Sequence, residues 1–381
     1  MRTAYVEQHS ANEAVLAVAL ELAKASWKVA LSDARRNPRL KTVDAPQPLA
    51  RLEQVVQQVK EARARWALPA SVRVIVVYEA GQDGFWLQRA LQARGVETLV
   101  IDPASLLMER RARRAKTDRL DALRLVEALL AWLRGDRRRF QLVRVPRVED
   151  EDRRHWGRER QQLQRELQQH RNRLEKLLAT QGCWTRLDRA GRQQLAEGSL
   201  RDWAGQPLGA ALQARLQREL QRWQDARTQL RQLEREQPQR FGARQAEQVA
   251  RLTQLRGIGP VGARQLVLEL FWRQFRNRRQ LGACVGLVPA PYDSGTLRVD
   301  QGISKQGNPR VRALLVEQAW LWLRYQPDSA LSHWFARKAG GACRRSRRVA
   351  IVALARRLVI ALWRYLEQGE RPAGATLKAV S

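Results

Sequence analysis

Four acidic residues stand where metal-dependent chemistry on phosphate esters would need them. Glu21 ends an apolar run and Glu79 ends a second, β-branched run, so each is expected at the end of a strand. Asp118 and Asp121 are three residues apart at the start of a helical pattern, a spacing that puts both carboxylates on one helix face. Four converging carboxylates repel one another unless divalent cations lie among them. Mg²⁺ suits such ligands, and paired ions about 4 Å apart stabilise both the attacking and the leaving oxygen in phosphoryl transfer.

Each of these acids also has a simpler interpretation. Asp118 could be only a helix N-cap, and Asp121 only a first-turn acid favoured by the helix dipole. Glu21 could be an ordinary residue at a strand end. The basic stretch ERRARRAK, residues 109–116, lies directly before the two aspartates. Together, the four acids and this basic flank favour a metal site that acts on a phosphate ester.

The elements that would position these acids alternate between strand and helix patterns. Strands are predicted at 15–21, 27–33, 39–44, 72–79 and 96–102, and helices at 48–66, at 85–94 and from 117 onward. Short connections between the first three strands indicate an antiparallel meander. Three strands followed by helix, strand, helix, strand and helix is the order of an RNase H-like domain. We therefore predict an α/β domain over residues 1–135.

The charge of the chain points to a polyanionic partner. The 381 residues carry 70 Lys and Arg against 38 Asp and Glu, a formal net charge of +32, and most of the excess lies beyond residue 100. Such a charge is costly in self-repulsion unless a polyanion neutralises it, and nucleic acid does so through its phosphates. A free-standing enzyme for small molecules is therefore disfavoured. A GC-rich genome would explain the preference for arginine over lysine, but not the excess of basic over acidic residues.

The cysteine content and the hydropathy narrow the class of protein further. The three cysteines, Cys183, Cys284 and Cys343, are far apart, which disfavours a zinc site or a disulfide framework. The chain has no apolar run of 18 residues and no signal peptide. We therefore expect an intracellular protein in a reducing cytoplasm, with no membrane partner.

Residues 136–248 are predicted to be a linker followed by long helices. Residues 135–160 are charged and irregular in pattern, whereas Leu163, Leu167, His170, Leu174 and Leu177 recur at heptad-like steps. His170 is interpreted as a polar member of this seam and not as a ligand. A second helix is predicted at about 210–236 after a turn-rich break. The two helices indicate either an antiparallel hairpin or a dimer-forming coiled coil.

Residues 249–381 are predicted to be a mostly helical domain that binds DNA. The sequence GIGPVGA, between two helical patterns, is typical of a helix–hairpin–helix, in which Gly257, Gly259 and Gly262 would let the turn approach a phosphate. An ordinary turn between helices is the alternative. A basic amphipathic helix is predicted at 344–366, with core packing as its first role and phosphate contact by its arginines as the second.

The segments VVYEAGQDGFWLQRAL and RRAKTDRLDA resemble the DEDD transposases of bacterial insertion sequences. That family has a RuvC-like N-terminal domain, and its members include bridge-RNA-guided recombinases. The resemblance maps the second, third and fourth family acids onto Glu79, Asp118 and Asp121. The first acid, normally Asp, maps onto Glu21 in ALELAKASW, where the longer side chain moves the carboxylate.

The C-terminal segments PYDSGTLRV and GISKQGNPR resemble the transposase domain of the same family. The resemblance places the catalytic serine at Ser294, with Ser304 ranked below it. A serine there would attack a phosphodiester and form a phosphoserine–DNA intermediate. The two motifs and the hairpin supply the residues expected to bind nucleic acid, which are Lys116, Arg119, Gly257, Gly259, Gly262, Lys305, Asn308 and Arg310.

The resemblance implies a DNA transposase or recombinase that acts on donor and target double-stranded DNA with Mg²⁺. It also implies a guide RNA and a homodimer or tetramer, because two duplexes must be cut. Two alternatives remain open. One is a non-catalytic nucleic-acid-binding relative, which Glu21 in place of Asp favours. The other is a Holliday-junction-type nuclease that uses the acids without Ser294.

Overall fold

A five-stranded mixed sheet organises the N-terminal part of the chain. The computed structural model describes residues 14–106, 117–236, 241–294, 297–340 and 343–379. The strands are β1 (Val15–Leu22), β2 (Trp27–Ser32), β3 (Arg39–Val43), β4 (Arg73–Glu79) and β5 (Glu97–Ile101), in the spatial order β3-β2-β1-β4-β5. The first three form an antiparallel meander, and β4 and β5 run parallel to β1. All five strands occur where the sequence predicts them.

Helices cover both faces of this sheet. They are α1 (Pro48–Arg65), α2 (Trp86–Gln92) and α3 (Asp118–Leu133), and a 3₁₀ turn at Pro103–Ser105 follows β5. Side chains alternate between the faces of a strand. Leu16, Val18 and Leu20 of β1 therefore join the core that contains residues of α1 and α2. Ala17 and Ala19 join the core formed with α3.

The chain divides into two compact units between Pro146 and Arg147. The second unit opens with α4 (Val148–Ala179), which pairs with α6 (Ala210–Glu236), and α5 (Arg189–Glu197) lies in the break between them. Trp156 donates a hydrogen bond to the carbonyl of Leu233, whereas the more distal His170 lies 2.7 Å from Glu219. These contacts run in opposite directions along the two helices. The pair is therefore an antiparallel hairpin within one chain.

One expectation for this region is wrong. Residues 148–160 were expected in an irregular segment, but they form the first turns of α4. Their polarity does not prevent the helix, because Trp156 is buried and Arg160 forms an ion pair with Glu234 of α6. Three acidic residues in the first turn also favour the helix through its dipole.

The remainder of the second unit is mainly helical. Its helices are α7 (Ala243–Gln254), α8 (Pro260–Leu266), α9 (Arg278–Cys284), α10 (Pro309–Tyr325), α11 (Ala330–Ala339) and α12 (Arg344–Gln368), and a π-helical turn at Val267–Phe271 continues α8. A hairpin of β6 (Pro289–Ser294) and β7 (Leu297–Ile303) follows α9. One apolar core joins residues from Leu252 to Ala375, and it is separate from the core of the α4–α6 hairpin.

The predicted boundaries at 135 and 248 stay predictions. The second unit contains both the predicted helical segment and the predicted C-terminal domain. Its two separate cores lie on either side of residue 248. Among the residues described, no helix combines the length and hydropathy that crossing a membrane requires.

Candidate active site and nucleic-acid interface

Glu21 and Glu79 are neighbours on adjacent parallel strands. The register of β1 and β4 pairs Leu20 with Tyr78, and the two glutamates are the next residue along each strand. Neighbouring strands lie about 4.8 Å apart. Both glutamates continue the set of side chains, including Ala19 of β1, that points to the face covered by α3. Both are half-buried, so their carboxylates lie at the edge of a core.

The first turn of α3 carries the other two acids on its sheet-facing side. Ala122 and Leu125 are buried against the sheet, and they follow Asp118 and Asp121 by four residues each. Residues four apart lie on one helix face. Both aspartates therefore extend the stripe by which α3 packs on β1, β2 and β4. Asp118 is exposed, and Asp121 is half-buried and lies 3.5 Å from Arg124.

The helix N-cap is Thr117, not Asp118. The Thr117 hydroxyl accepts a hydrogen bond from the backbone N–H of Leu120, while Asp118 is the first helical residue. The capping interpretation of Asp118 is therefore wrong. A first-turn acid next to the positive end of the helix dipole remains a sufficient local explanation for both aspartates.

The four acids do not form a compact metal-binding cluster in the described structure. Within the described part of the chain, no three histidine, cysteine, aspartate or glutamate side chains lie close enough together to hold a metal ion. The sheet register thus brings Glu21 beside Glu79, whereas Asp118 and Asp121 form a second pair on α3. Carboxylate oxygens are the ligands that a hard divalent cation prefers.

Ser294 ends the first strand of the β6–β7 hairpin. It pairs with Leu297, so only Gly295 and Thr296 separate the two strands at this end. The side chain of Ser294 lies outside the described part of the structure, as do Lys116 and the rest of the basic stretch 109–116. The serine is therefore located by its backbone position at the tip of the hairpin.

The other end of this hairpin is anchored by two loops whose backbones interlock. The N–H of Ser304 donates to the carbonyl of Val288, and the N–H of Lys305 donates to that of Gly286. Gly286 and Gly307 both have positive φ, 65° and 85°. A Cβ on Gly286 would lie 1.9 Å from the carbonyl oxygen of Gln306, so only glycine allows this approach.

Asn308 and Lys305, which both belong to this loop, have different roles. The Asn308 Oδ1 caps α10 by accepting hydrogen bonds from the N–H groups of Arg310 and Val311, and its Nδ2 donates to Glu269 at 3.0 Å. These contacts make Asn308 a residue that holds the loop in place. Lys305 is exposed and has a left-handed backbone with φ of 57°. Its ammonium group is thus available at the surface.

The GIGPVGA segment forms a turn between α7 and α8, which is compatible both with the predicted helix–hairpin–helix and with an ordinary turn between helices. Gly257 has a φ of 86°, and a Cβ there would lie 3.3 Å from the Leu321 carbonyl oxygen of α10. Gly262 also packs on α10, at Gln318. A Cβ on Gly259, by contrast, would have no atom within 4 Å. Two of the three glycines therefore allow close helix packing. Only Gly259 leaves open space at the turn.

Three of the residues predicted to bind nucleic acid line one cavity. Gly259, Gly262 and Arg310 line a cavity of about 430 Å³ bounded by α4, α8 and α10. Lys305 lines a different, larger cleft in the same unit. Arg119 is exposed on the first turn of α3.

Sequence reasoning missed two positioning residues. Thr117 had a usable signal, because a threonine directly before a first-turn acid is a common N-cap pattern. Glu269 had none, since it lies within the apolar run LVLELF and looks like a surface residue of a buried helix. Only the structure pairs its carboxylate with Asn308 and places it 3.8 Å from Arg158.

The chain is similar along almost its whole length to known transposases. A family of DEDD transposases of the IS110 type matches residues 18–181, which include all four acids. The family described as "Transposase IS116/IS110/IS902 family" matches residues 249–333, which include Ser294.

Individual relatives agree with these matches. "Putative transposase y4rJ" of Sinorhizobium fredii is 42% identical over 376 residues, covering 95% of this chain and 94% of the relative. "Putative transposase y4qE" of the same organism is 28% identical, covering 81% and 72%. "Transposase for insertion sequence element IS1328" of Yersinia enterocolitica is 34% identical over 127 residues, covering 32% and 37%. The chain therefore belongs to the IS110 family of DEDD transposases.

Proposed function

We propose that this transposase cuts and rejoins DNA strands through a covalent bond between Ser294 and a strand end, assisted by Mg²⁺ bound to its four acids. The observation that carries the proposal is the parallel register that sets Glu21 beside Glu79 on the face covered by α3. Carboxylates at the ends of adjacent parallel strands can supply oxygen ligands to a divalent cation that promotes phosphoryl transfer.

Glu21, Glu79, Asp118 and Asp121 would hold the metal through their carboxylate oxygens. A bound divalent cation polarises a phosphoryl oxygen and stabilises charge on the leaving oxygen. Asp118 and Asp121 extend the sheet-facing stripe of α3, so they lie toward the same face of the sheet as the two glutamates. The longer side chain of Glu21, relative to the usual Asp, supplies additional reach.

The serine step conserves the energy of the phosphodiester. The Ser294 oxygen loses its proton and bonds to phosphorus while the bond from phosphorus to one strand oxygen breaks, so that strand ends in a hydroxyl group. Attack by a hydroxyl of another strand reverses the step and restores the serine. Strands are thus exchanged without ATP or another co-reactant.

Donor and target duplexes are the expected substrates, and the large positive charge supports their binding. A guide RNA that selects the target belongs to the same proposal, and so does a homodimer or tetramer that supplies one serine for each cut strand. The turn at Gly259 and the cations Lys305, Arg119 and Lys116 would contact phosphates, which position nucleic acid without reading its sequence.

The test is trapping of a protein–DNA adduct. Purified protein, the RNA encoded beside its gene and a supercoiled plasmid carrying the element ends are incubated with Mg²⁺, and products are separated in denaturing detergent. Wild type is expected to give an adduct, and Ser294→Ala none. Asp118→Ala is expected to abolish cutting, whereas Ser304→Ala, the matched serine control, retains it. An adduct with Ser294→Ala would overturn the assignment of the nucleophile.

A second candidate is a non-catalytic nucleic-acid-binding relative. It is favoured by Glu21 and by the separation of the four acids into two pairs in the described structure. Binding of the element ends by wild type, with no cutting under any divalent cation, would support it. Cutting by Ser294→Ala without an adduct would instead indicate a Holliday-junction-type nuclease that uses the acids alone.

A further inference from the structure

A cleft of about 1200 Å³ in the second unit is lined by many arginines. It lies along one side of α12 and is closed by residues of α9, α11 and β7. Its cationic side chains are Arg278, Arg279, Lys305, Arg345, Arg348, Arg356, Arg357, Arg364 and Arg371. Glu370 is the one acid among its described lining residues.

The cations of this cleft lack acidic partners. Among the residues that the structure describes, none of the nine lies within 4 Å of a carboxylate oxygen. In the α4–α6 hairpin, Arg160, Arg173 and Arg222 pair with glutamates, whereas other arginines there form no described ion pair. What distinguishes the cleft is that nine cations surround one cavity. Their mutual repulsion favours an anionic occupant.

The floor of the cleft is apolar and carries one aromatic ring. Leu287, Ile303, Val352 and Ile360 line it together with the half-buried Trp334. The guanidinium of Arg357 lies 4.2 Å from the centre of the Trp334 ring, which fixes the plane of the indole. A simple anion would contact only the arginines and not the apolar floor. An occupant with both phosphates and flat apolar faces would contact the arginines and the floor together.

A buried polar group also points to a missing partner. The Nε of Arg356 is buried at the cleft, and no acceptor within the described chain reaches it. A buried donor without an acceptor is destabilising. An oxygen of the occupant would satisfy it.

We propose that this cleft binds a single strand of DNA, with its phosphates on the arginines and its unpaired bases on the floor around Trp334. A duplex conceals the faces of its bases, whereas a single strand exposes them for stacking on aromatic and apolar side chains. The cleft includes residues at the base of the β6–β7 hairpin, whose other end carries Ser294. Resting on the proposed function, the occupant is therefore the strand that leads to or from the cut phosphodiester.

The experiment measures binding of short labelled oligonucleotides to the full-length protein by fluorescence anisotropy at several salt concentrations. The probes are a single-stranded DNA, its duplex and an RNA of the same sequence. The cleft variant is Arg345→Gln/Arg348→Gln/Arg357→Gln. The matched control, Arg215→Gln/Arg218→Gln/Arg231→Gln, removes three exposed arginines from α6.

The cleft variant is expected to lose at least tenfold in affinity for single-stranded DNA, with the slope of log K against log salt reduced by about 2. The control is expected to change affinity less than threefold. Equal losses in the two variants would overturn the proposal, because they would show only general electrostatic attraction. Tighter binding of RNA than of DNA, or an effect on duplex alone, would also overturn it.

Trp334 supplies a test that is independent of charge. Trp334→Leu keeps apolar packing but removes the aromatic face, and it is expected to weaken single-strand binding three- to tenfold without changing the salt slope. Trp334→Phe is expected to restore most of the affinity, and a thermal melt excludes unfolding as the cause. Unchanged affinity in Trp334→Leu would contradict the stacking role.

Failure of the proposed chemistry would be distinguishable from failure of this site. Binding of an uncut oligonucleotide does not need Ser294, so Ser294→Ala is expected to bind single-stranded DNA as wild type does. Loss of cutting with intact binding would refute the nucleophile alone. Loss of the difference between cleft and control variants would refute the cleft alone.

Discussion

The Asn308 side chain joins α10 to the π-helical turn, since its Nδ2 donates a 3.0 Å hydrogen bond to Oε2 of Glu269. Its Oδ1 accepts from the backbone N–H of Arg310 at 3.0 Å. One amide thus fixes the end of the loop that carries Ser304 and Lys305. The residue that the resemblance associates with nucleic acid has a structural role in the described contacts.

Replacement of Asn308 will separate its two roles. Asn308→Ala removes both the cap and the bond to Glu269, and we expect the free energy of unfolding to fall by about 1–3 kcal/mol. Asn308→Asp keeps the capping oxygen but places a second carboxylate beside Glu269. If the bond to Glu269 matters, urea unfolding will show a loss for Asn308→Asp close to that for Asn308→Ala. Stability equal to wild type would mean that capping alone matters.

The interlocked loops will not accept a methyl group. A Cβ on Gly307 would lie 2.1 Å from the carbonyl oxygen of Cys284, and the backbone there is left-handed. We expect Gly307→Ala to lower the free energy of unfolding by at least about 3 kcal/mol, from overpacking and backbone strain together. Gly205→Ala is the matched control, because Gly205 has a φ of 75° with no atom near a built Cβ. Its expected cost is about 1 kcal/mol.

The α4–α6 hairpin will lose stability in acid through Glu219. Burial alone raises the pKa of Glu219, but hydrogen bonds from His170 and Arg222 and the charge of Arg173 outweigh it and hold the pKa below its ordinary value. The stabilisation is therefore fully present above the ordinary glutamate pKa of about 4.3 and is lost as the pH falls below that value. At neutral pH we expect Glu219→Gln to cost about 1–3 kcal/mol.

This expectation is measured by urea unfolding from pH 3 to pH 7. The difference between wild type and Glu219→Gln should be constant near neutrality and shrink in acid. Glu175→Gln is the control, since Glu175 forms an exposed pair with Arg171, and its cost should stay below about 0.5 kcal/mol. A difference between wild type and Glu219→Gln that persists unchanged at pH 3 would contradict the role of the Glu219 charge.

The three thiols will react at different rates. Hydrogen bonds from the backbone N–H and the hydroxyl of Ser346 lower the pKa of Cys343, which is exposed. Burial raises the pKa of Cys284 despite the nearby Arg273. Iodoacetamide should therefore alkylate Cys343 first in the native protein, because the thiolate is the reactive form. Mass spectrometry of peptides will detect this, and equal rates in the native state would contradict it.

Glu21 offers a direct test of the metal site. We expect Glu21→Gln to lower DNA cutting by roughly 100-fold or more and to reduce Mg²⁺ binding measured by calorimetry. Glu21→Asp should retain both, because it keeps the carboxylate. Glu127→Gln, on the exposed side of α3, is the control and should behave as wild type. Normal Mg²⁺ binding by Glu21→Gln would remove Glu21 from the ligand set.

The first unit could be predicted closely because its signals are local. Each strand is a short apolar or β-branched run bounded by turn residues, and Val15–Leu22 and Arg73–Glu79 agree with the predictions within a residue. The side-by-side position of Glu21 and Glu79 follows from the strand order of the fold. The distance from Asp118 and Asp121 to these glutamates does not follow, because it depends on how α3 crosses the sheet.

The second unit was predictable only in part. Apolar spacing predicted α4 and α6 but left open whether they form a hairpin, and contacts such as that of Trp156 with Leu233 show that they do. Glycines in GIGPVGA are explained equally well by close approach of the turn to a phosphate and by close packing of helices. At Gly257 and Gly262 the structure shows packing on α10. The sequence predicted only part of the arginine cleft, through the basic helix at 344–366, because its other cations lie as far apart as Arg278 and Arg371.

The pairing of β1 with β4 has a consequence for errors of folding. Side chains alternate between the two faces, so a slip of β1 by one residue would turn Glu21 toward the α1 and α2 core and leave Glu79 without its neighbour. The same slip would turn Leu16, Val18 and Leu20 away from the core formed with α1 and α2 and toward α3. A misregistered sheet would therefore lose its apolar packing and its pair of carboxylates in one event. A chain that has folded stably has, by that fact, set its first two acids side by side.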